Sequence, residues 1–128
     1  MHSNRFIFLN DNPIKSKKFK ADAIITNVKK LPIAVLTADC VPILLYDNQK
    51  KMIAVIHAGW KGAIKGIISK VISFMIKKGC KTNVITAAIG PSIAQKNYEV
   101  KENFQKKFLK KDKRNVVFFK IRKNQIYF

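Results

Sequence analysis

The 128-residue sequence is poor in several residue types, and each shortage excludes a class of protein. Its two cysteines are too few for a disulfide-stabilised scaffold, and they favour a reducing compartment. No apolar run approaches the roughly 20 residues that a membrane-spanning helix needs, so no membrane partner is predicted. Nothing at the N-terminus resembles the apolar segment of a secretory signal. From these shortages we predict a cytoplasmic location.

Acidic residues are also scarce: seven aspartates and glutamates accompany 26 lysines and arginines, and the formal net charge is +19. Such a charge could hold the protein on nucleic acid through phosphate contacts. Arginine, however, is the residue best suited to binding bases and phosphates, and it is rare. The arginines are Arg5, Arg114 and Arg122. An AT-rich genome would also produce the excess of lysine and is the preferred explanation, so a basic nucleic-acid-binding module is kept only as an alternative.

The residues that are abundant suit an α/β (α+β) fold, a mixed β-sheet sandwich packed with helices. Hydrophobic residues make up 48% of the chain, enough for the core of one domain of this length. Strands are predicted at Ile33–Leu36 and Ile43–Tyr46, and their continuous apolar character is typical of strands covered on both faces. The turn-forming letters DNQK then predict that Met52–Ile56 pairs with Ile43–Tyr46 as a hairpin.

Apolar residues recur at intervals of three and four from Lys61 to Lys78, which predicts an amphipathic helix. A second helix is predicted at residues 101–111. Further strands are predicted at residues 6–9, 23–26, 83–89, 115–120 and 125–128.

The residues most suited to chemistry are concentrated between Thr37 and Gly62. Cys40 and His57 lie at the ends of predicted strands, so two neighbouring strands could bring them together at one rim of the sheet. A thiolate and an imidazole there could bind zinc, and His2, the only other histidine, would complete a three-ligand site with an open position for water. Two histidines and one cysteine also suit copper, so the ligand set does not choose the metal.

Two other interpretations of the same pair remain open. A cysteine beside a histidine can be a nucleophile and its base, as in a thiol hydrolase. Alternatively, Cys40 is a small buried hydrophobe and His57 a hydrogen-bonded strand end. The spacing of the two residues does not separate these possibilities from a metal site.

The segment His-Ala-Gly-Trp-Lys-Gly, which links a predicted strand to the predicted helix, is a candidate anion site. Gly59 and Gly62 leave backbone N–H groups accessible, and the start of a helix carries partial positive charge. Lys61 adds a full charge. Trp60 is either a core residue or an aromatic lid against a planar base. We therefore predict that these four residues bind phosphate or another part of a substrate.

Four motifs taken together resemble a known family: ADAIIT, LTADCVPILLYD, IAVIHAGWKG, and AAIGPSI followed by NYEV. They are similar, in this order, to the proteins once called multicopper polyphenol oxidases or laccase-domain proteins. Members are now regarded as purine nucleoside phosphorylases and, in some bacteria, as a peptidoglycan-editing factor. The resemblance implies an α/β sandwich domain, a zinc site, and phosphorolysis of adenosine, inosine or methylthioadenosine. Adenosine deamination is implied as a second activity, so the expected partners are purine nucleosides and phosphate.

The resemblance also implies roles for particular residues. Family chains carry a Gln-x-His-Gly motif where His2 lies, and Cys40 of TADC and His57 of HAGW match the other two ligands. Cys40 and His57 are expected to serve the catalysis as well. Lys61 stands where members usually have arginine, so the charge is kept without the bidentate fork. The family's terminal regions are not matched, and we expect a single, incomplete domain over residues 1–128. An inactive truncated homologue is a further alternative.

Overall fold

The computed structural model describes residues 2–10 and 20–128. The chain divides into two compact units, residues 1–92 and residues 93–128. The first unit contains a five-stranded sheet and the second a three-stranded sheet. Among the described residues, no helix combines the length and the apolar character needed to cross a membrane.

The first unit is a mixed sheet whose centre is the predicted hairpin. Its elements are β1 (Phe6–Leu9), β2 (Ala23–Thr26), β3 (Val41–Asp47), β4 (Met52–Ala58), α1 (Trp60–Ile64), α2 (Ile67–Lys77) and β5 (Ile85–Ile89). The strand order is β1-β2-β4-β3-β5, with β1 parallel to β2 and every other pair antiparallel. In the hairpin, Val41 pairs with Ala58 and Asp47 with Met52, which confirms the predicted pairing.

The core lies between one face of this sheet and α2. Ile67, Val71 and Met75 recur on one side of the helix at the predicted intervals, and all three are fully buried against the sheet. Each such side chain contributes about 1.5–3 kcal/mol by leaving water. On the opposite face, the described residues leave Leu44 and Tyr46 of β3 51% and 41% exposed. The prediction that this strand is covered on both faces is therefore wrong, because its residues alternate between the two sides.

Two further predictions differ from the structure. Ile33–Leu36 is not a strand, and Leu36 is 95% exposed. The segment pairs with neither edge strand of the sheet, and Ile33 instead lines a cavity over β3 and β4 with Leu44 and Val55. The predicted helix from Lys61 to Lys78 is divided into α1 and α2, because Gly66 takes the left-handed conformation with φ 75° and interrupts the helical turns.

The second unit is built around an aromatic core. It contains β6 (Glu99–Val100), α3 (Glu102–Lys111), β7 (Lys120–Arg122) and β8 (Gln125–Tyr127), with short 3-10 helices at Gln95–Asn97 and Lys113–Phe118. The ring of Phe108 lies 4.7 Å from that of Phe128 and 5.6 Å from that of Phe119. The strand predicted at 115–120 is mostly 3-10 helix, because the Asp112 carboxylate accepts from the Arg114 N–H and starts a helical turn.

Candidate metal centre

His2, Cys40 and His57 come together at one end of the five-stranded sheet. Their potential ligand atoms all lie within 4.8 Å of one another. The Cys40 Sγ is 3.5 Å from the His2 Nε2, and the two imidazole centroids are 5.4 Å apart. His2 is exposed, whereas Cys40 and His57 are half-buried. The group therefore faces solvent on the His2 side and protein on the other.

Strand register explains why these distant residues meet. Cys40 directly precedes β3 and His57 is the penultimate residue of β4, so the antiparallel pairing of Pro42 with His57 brings the start of one strand to the end of the other. His2 lies in the segment before β1, which runs parallel to β2. The start of β2 is held at the same rim, because the His57 N–H donates to the Asp22 carbonyl at 2.7 Å.

Asp22 is a functional candidate that the sequence prediction missed. Its Oδ1 lies 2.8 Å from the His57 Nδ1, and its Oδ2 accepts hydrogen bonds from the N–H and the hydroxyl of Ser3. The carboxyl group is 2% exposed. Burial acts to raise the pKa of Asp22, but the hydrogen bonds from Ser3 and His57 outweigh it and hold that pKa below its ordinary value. Asp22 is therefore an ionised acceptor at neutral pH.

An ionised carboxylate can only accept hydrogen bonds, so the His57 Nδ1 must carry a proton at this distance. That leaves the Nε2 of His57 as the ring nitrogen available to a ligand or to a second proton. The only sequence signal for Asp22 was its position directly before a buried strand that begins at the same rim as the cysteine. Nothing in the local pattern indicated that its carboxylate would contact a histidine.

The Cys40 thiol is not activated by its surroundings. Burial raises its pKa, and the nearby Asp39 carboxylate raises that pKa further. A protonated thiol is a poor nucleophile and a poor ligand. A bound cation would reverse this, because metal coordination favours the thiolate.

The glycines of the strand-to-helix turn allow the N-terminal segment to approach. A Cβ at Gly59 would overlap the His2 ring and lie 3.1 Å from the Cys40 Sγ. A Cβ at Gly62 would lie 2.6 Å from the Ser3 carbonyl oxygen. Both glycines are thus required for His2 to reach the other two ligands, a role that sequence analysis did not assign to them.

The remaining predicted substrate-binding residues lie beside this turn. Trp60 is half-buried and begins α1, and Lys61 is exposed with its Nζ 5.4 Å from the centroid of the Trp60 ring. Because α1 spans only five residues, its partial charge is smaller than that of the long helix predicted from the sequence. The lysine side chain is therefore the main source of positive charge at this turn.

The family model described as multi-copper polyphenol oxidoreductase laccase matches residues 1–128. The chain belongs to this family. The resemblance inferred from the four sequence motifs is thereby confirmed. The mixed α/β, laccase-domain-like fold is confirmed as well, because the hypothetical protein YfiH of Bacillus licheniformis superposes on this chain with a TM-score of 0.82. At 26% identity, that superposition covers 99% of this chain and 51% of YfiH.

Curated relatives include nucleoside-processing enzymes. The chain is 44% identical over 119 residues to the purine nucleoside phosphorylase RP494 of Rickettsia prowazekii, an alignment that covers 93% of this chain and 48% of the relative. It is 43% identical over 89 residues to the adenosine deaminase RL5 of an unknown prokaryotic organism, covering 70% of this chain and 34% of the relative. The chain thus spans about half the length of the curated relatives it matches, or less.

The three converging side chains fit a metal ion, which the family also implies. Ligand atoms bound about 2.0–2.3 Å from a tetrahedral ion lie about 3.3–3.8 Å apart. The distance from the Cys40 Sγ to the His2 Nε2 already falls in this range. A histidine whose other ring nitrogen is bound to a carboxylate is the usual arrangement around such an ion.

Proposed function

We propose that His2, Cys40 and His57 bind one zinc ion, and that the chain forms the metal-binding part of a purine nucleoside phosphorylase. The observation that carries the proposal is the convergence of these ligands in a chain 44% identical to a relative named as such an enzyme. Zinc suits a site of two imidazoles and one thiolate that leaves a fourth position open. Copper is the alternative metal for the same ligands.

The bound metal would supply a Lewis acid that polarises a substrate or lowers the pKa of water. Cys40 would contribute a thiolate, and the exposed side of His2 leaves the centre accessible to a small molecule. The hydrogen bond from His57 to Asp22 keeps the ring in one tautomer, so that the histidine does not need to reorganise when it acts.

The proposed substrates are inorganic phosphate and a purine nucleoside, namely adenosine, inosine or methylthioadenosine. Lys61 would attract phosphate, together with the N–H groups of the turn from Gly59 to Gly62. Trp60 offers an aromatic surface that could stack on a purine. Deamination of adenosine, a hydrolysis, is proposed as the second activity, which agrees with the name of the relative RL5. We further propose a cytoplasmic location, on the low cysteine content alone.

The test combines metal analysis with product analysis on the same preparation. Protein purified without chelator is expected to hold about one zinc per chain. With phosphate and inosine it should release hypoxanthine, and with adenosine it should form inosine. In Lys61→Ala the KM for phosphate should rise several-fold while the zinc content stays unchanged. Absence of both products from zinc-loaded protein would contradict the proposed activity, and copper in place of zinc would contradict the metal assignment.

A thiol hydrolase is the second candidate, because Cys40, His57 and Asp22 could act as nucleophile, base and orienting acid. This candidate predicts a metal-free protein whose Cys40 is alkylated rapidly at neutral pH. The raised pKa of Cys40 argues against it. Slow alkylation of Cys40 in metal-free protein, together with stoichiometric zinc in protein purified without chelator, would exclude it.

A further inference from the structure

We propose that Asp22 is the positioning residue of the metal centre and holds His57 and the segment that carries His2 in place together. The inference rests on the proposed metal site and concerns a residue outside its ligand set.

Asp22 uses all of its polar groups on the two segments that carry the histidines. Its Oδ1 binds the His57 ring, and its backbone carbonyl accepts from the His57 N–H at 2.7 Å. Its Oδ2 accepts from the N–H and the hydroxyl of Ser3, the residue directly after His2. Its own N–H donates to the Arg5 carbonyl at 3.0 Å. One residue therefore joins the end of β4 to the start of the chain.

Among the described residues, and apart from the contact of His2 with Cys40, the segment from His2 to Arg5 has one other side-chain hydrogen bond to a distant part of the first unit. The Asn4 side chain donates to the Lys65 carbonyl at 3.0 Å, but this hydrogen bond is exposed to water. The hydrogen bonds from Ser3 to Asp22, in contrast, end on a carboxylate that is 2% exposed. Hydrogen bonds to a buried charged group are stronger than exposed neutral ones. We infer that Asp22 is the main polar anchor that keeps His2 within reach of Cys40.

The alternative is that Asp22 is only a structural buried carboxylate, and the chain contains a matched example of one. Asp47 is 1% exposed, lies at the opposite end of the same sheet, and accepts from the Lys50 N–H at 2.8 Å. It contacts no candidate ligand among the described residues. Asp47→Asn therefore controls for the general loss of a buried negative charge.

The first experiment measures zinc affinity by competition with a chromophoric chelator. Asp22→Ala is expected to bind zinc about 10–100-fold more weakly than the wild type. In Asp22→Asn the amide offers only one oxygen, so either the hydrogen bond to His57 or the pair from Ser3 is lost. Zinc affinity is therefore expected to fall in this variant as well. Asp47→Asn should stay within about threefold of the wild type. Wild-type affinity in both Asp22 variants, with binding abolished in His57→Ala, would overturn the proposal but leave the metal site intact.

The second experiment uses metal-free protein and therefore stands if the zinc site itself fails. Long-range ¹H–¹⁵N spectra at alkaline pH report which nitrogen of neutral His57 carries the proton. The wild type and Asp47→Asn should show Nδ1–H, whereas Asp22→Ala should shift toward Nε2–H. An unchanged tautomer in Asp22→Ala would overturn the proposal. If that variant does not fold, Asp22→Leu, which fills a similar space but has no hydrogen-bond acceptor, decides between the same two outcomes.

Discussion

The two ends of the five-stranded sheet contain the same pair of residue types, a buried aspartate beside a cysteine. At one end Asp22 lies near Cys40, and at the other Asp47 lies against Cys80. Both carboxyl pKa values are lowered by hydrogen bonds, against the effect of burial, and both thiol pKa values are raised, mainly by burial. Composition and electrostatics therefore do not distinguish the two ends.

The difference lies in the histidines and in access to solvent. Cys80 is 4% exposed, and its Sγ lies 3.9 Å from the Met52 Sδ. Cys40 is half-buried and has the imidazole nitrogens of His2 and His57 within 4.8 Å. A carboxylate and a thiol that are sealed from water, as at Asp47 and Cys80, are not accessible to a ligand. The same pair becomes part of a candidate site at the other end, where two imidazoles join it and one of them is exposed.

The largest difference between the ends should appear when each cysteine is replaced by alanine. Cys40→Ala should reduce bound zinc from about one per chain to a trace, because only two ligands remain. Cys80→Ala should keep the zinc and lose about 1 kcal/mol of stability through the small cavity it leaves. Metal content measured by mass spectrometry, together with the midpoint of urea unfolding, checks both. Equal zinc in the two variants would remove the distinction between the two ends.

A smaller effect is expected from closing the space at one glycine. In Gly59→Ala the new methyl group would overlap the His2 ring, so zinc affinity should fall by about tenfold or more. The matched control is Gly66→Ala, where a Cβ meets nothing within 4 Å but the residue has φ 75°. This control should cost about 1–2 kcal/mol of stability and leave zinc affinity unchanged. Titration with the chelator tests the pair, and unaltered affinity in Gly59→Ala would show that His2 does not need this approach.

The smallest effect concerns pH at the sealed end. Burial and the Asp47 carboxylate raise the pKa of Cys80 from 9.0 to about 11. The folded state holds the Cys80 proton more tightly than the unfolded state does. The free energy of unfolding that this difference contributes is therefore complete below pH 9 and is lost as pH rises toward about 11. The Tm of the wild type should therefore fall further across that window than the Tm of Cys80→Ala, by a few degrees. If the Tm of the wild type and the Tm of Cys80→Ala fall in parallel across this pH range, the raised pKa of Cys80 is contradicted.

The local pattern of apolar residues correctly predicted those elements that are formed by contacts between residues close together in the sequence. The β3–β4 hairpin followed from two apolar runs separated by a turn, and α2 followed from its apolar intervals. The segment Ile33–Leu36 has an equally apolar pattern but is not a strand. Ile33 lies over β3 and β4 instead of in a ladder, and local pattern does not distinguish these two placements. Gly66 was compatible with a continuous helix by propensity alone, and only the packed chain shows its left-handed conformation.

The sequence predicted those site residues that belong to recognisable motifs. Rarity of cysteine and histidine, together with the family motifs, selected His2, Cys40 and His57, and the structure brings these three together. Asp22 was not predicted, because its contact with His57 joins residues 35 positions apart and leaves no periodic signal. Gly59 was assigned to phosphate binding for a similar reason, since the ring that occupies the space beside it belongs to His2, which is distant in the sequence.

The position of His2 has a consequence for folding. His2 and Cys40 lie 38 positions apart, so an ion bound to both would cross-link a long loop of the chain. Closing a loop lowers the entropy of the open chain, and the cost grows with the logarithm of loop length. A metal ion that binds only when His2 and Cys40 are close together would therefore act as a reversible cross-link. Its concentration, relative to the dissociation constant, would decide how firmly the first strand is kept on the sheet.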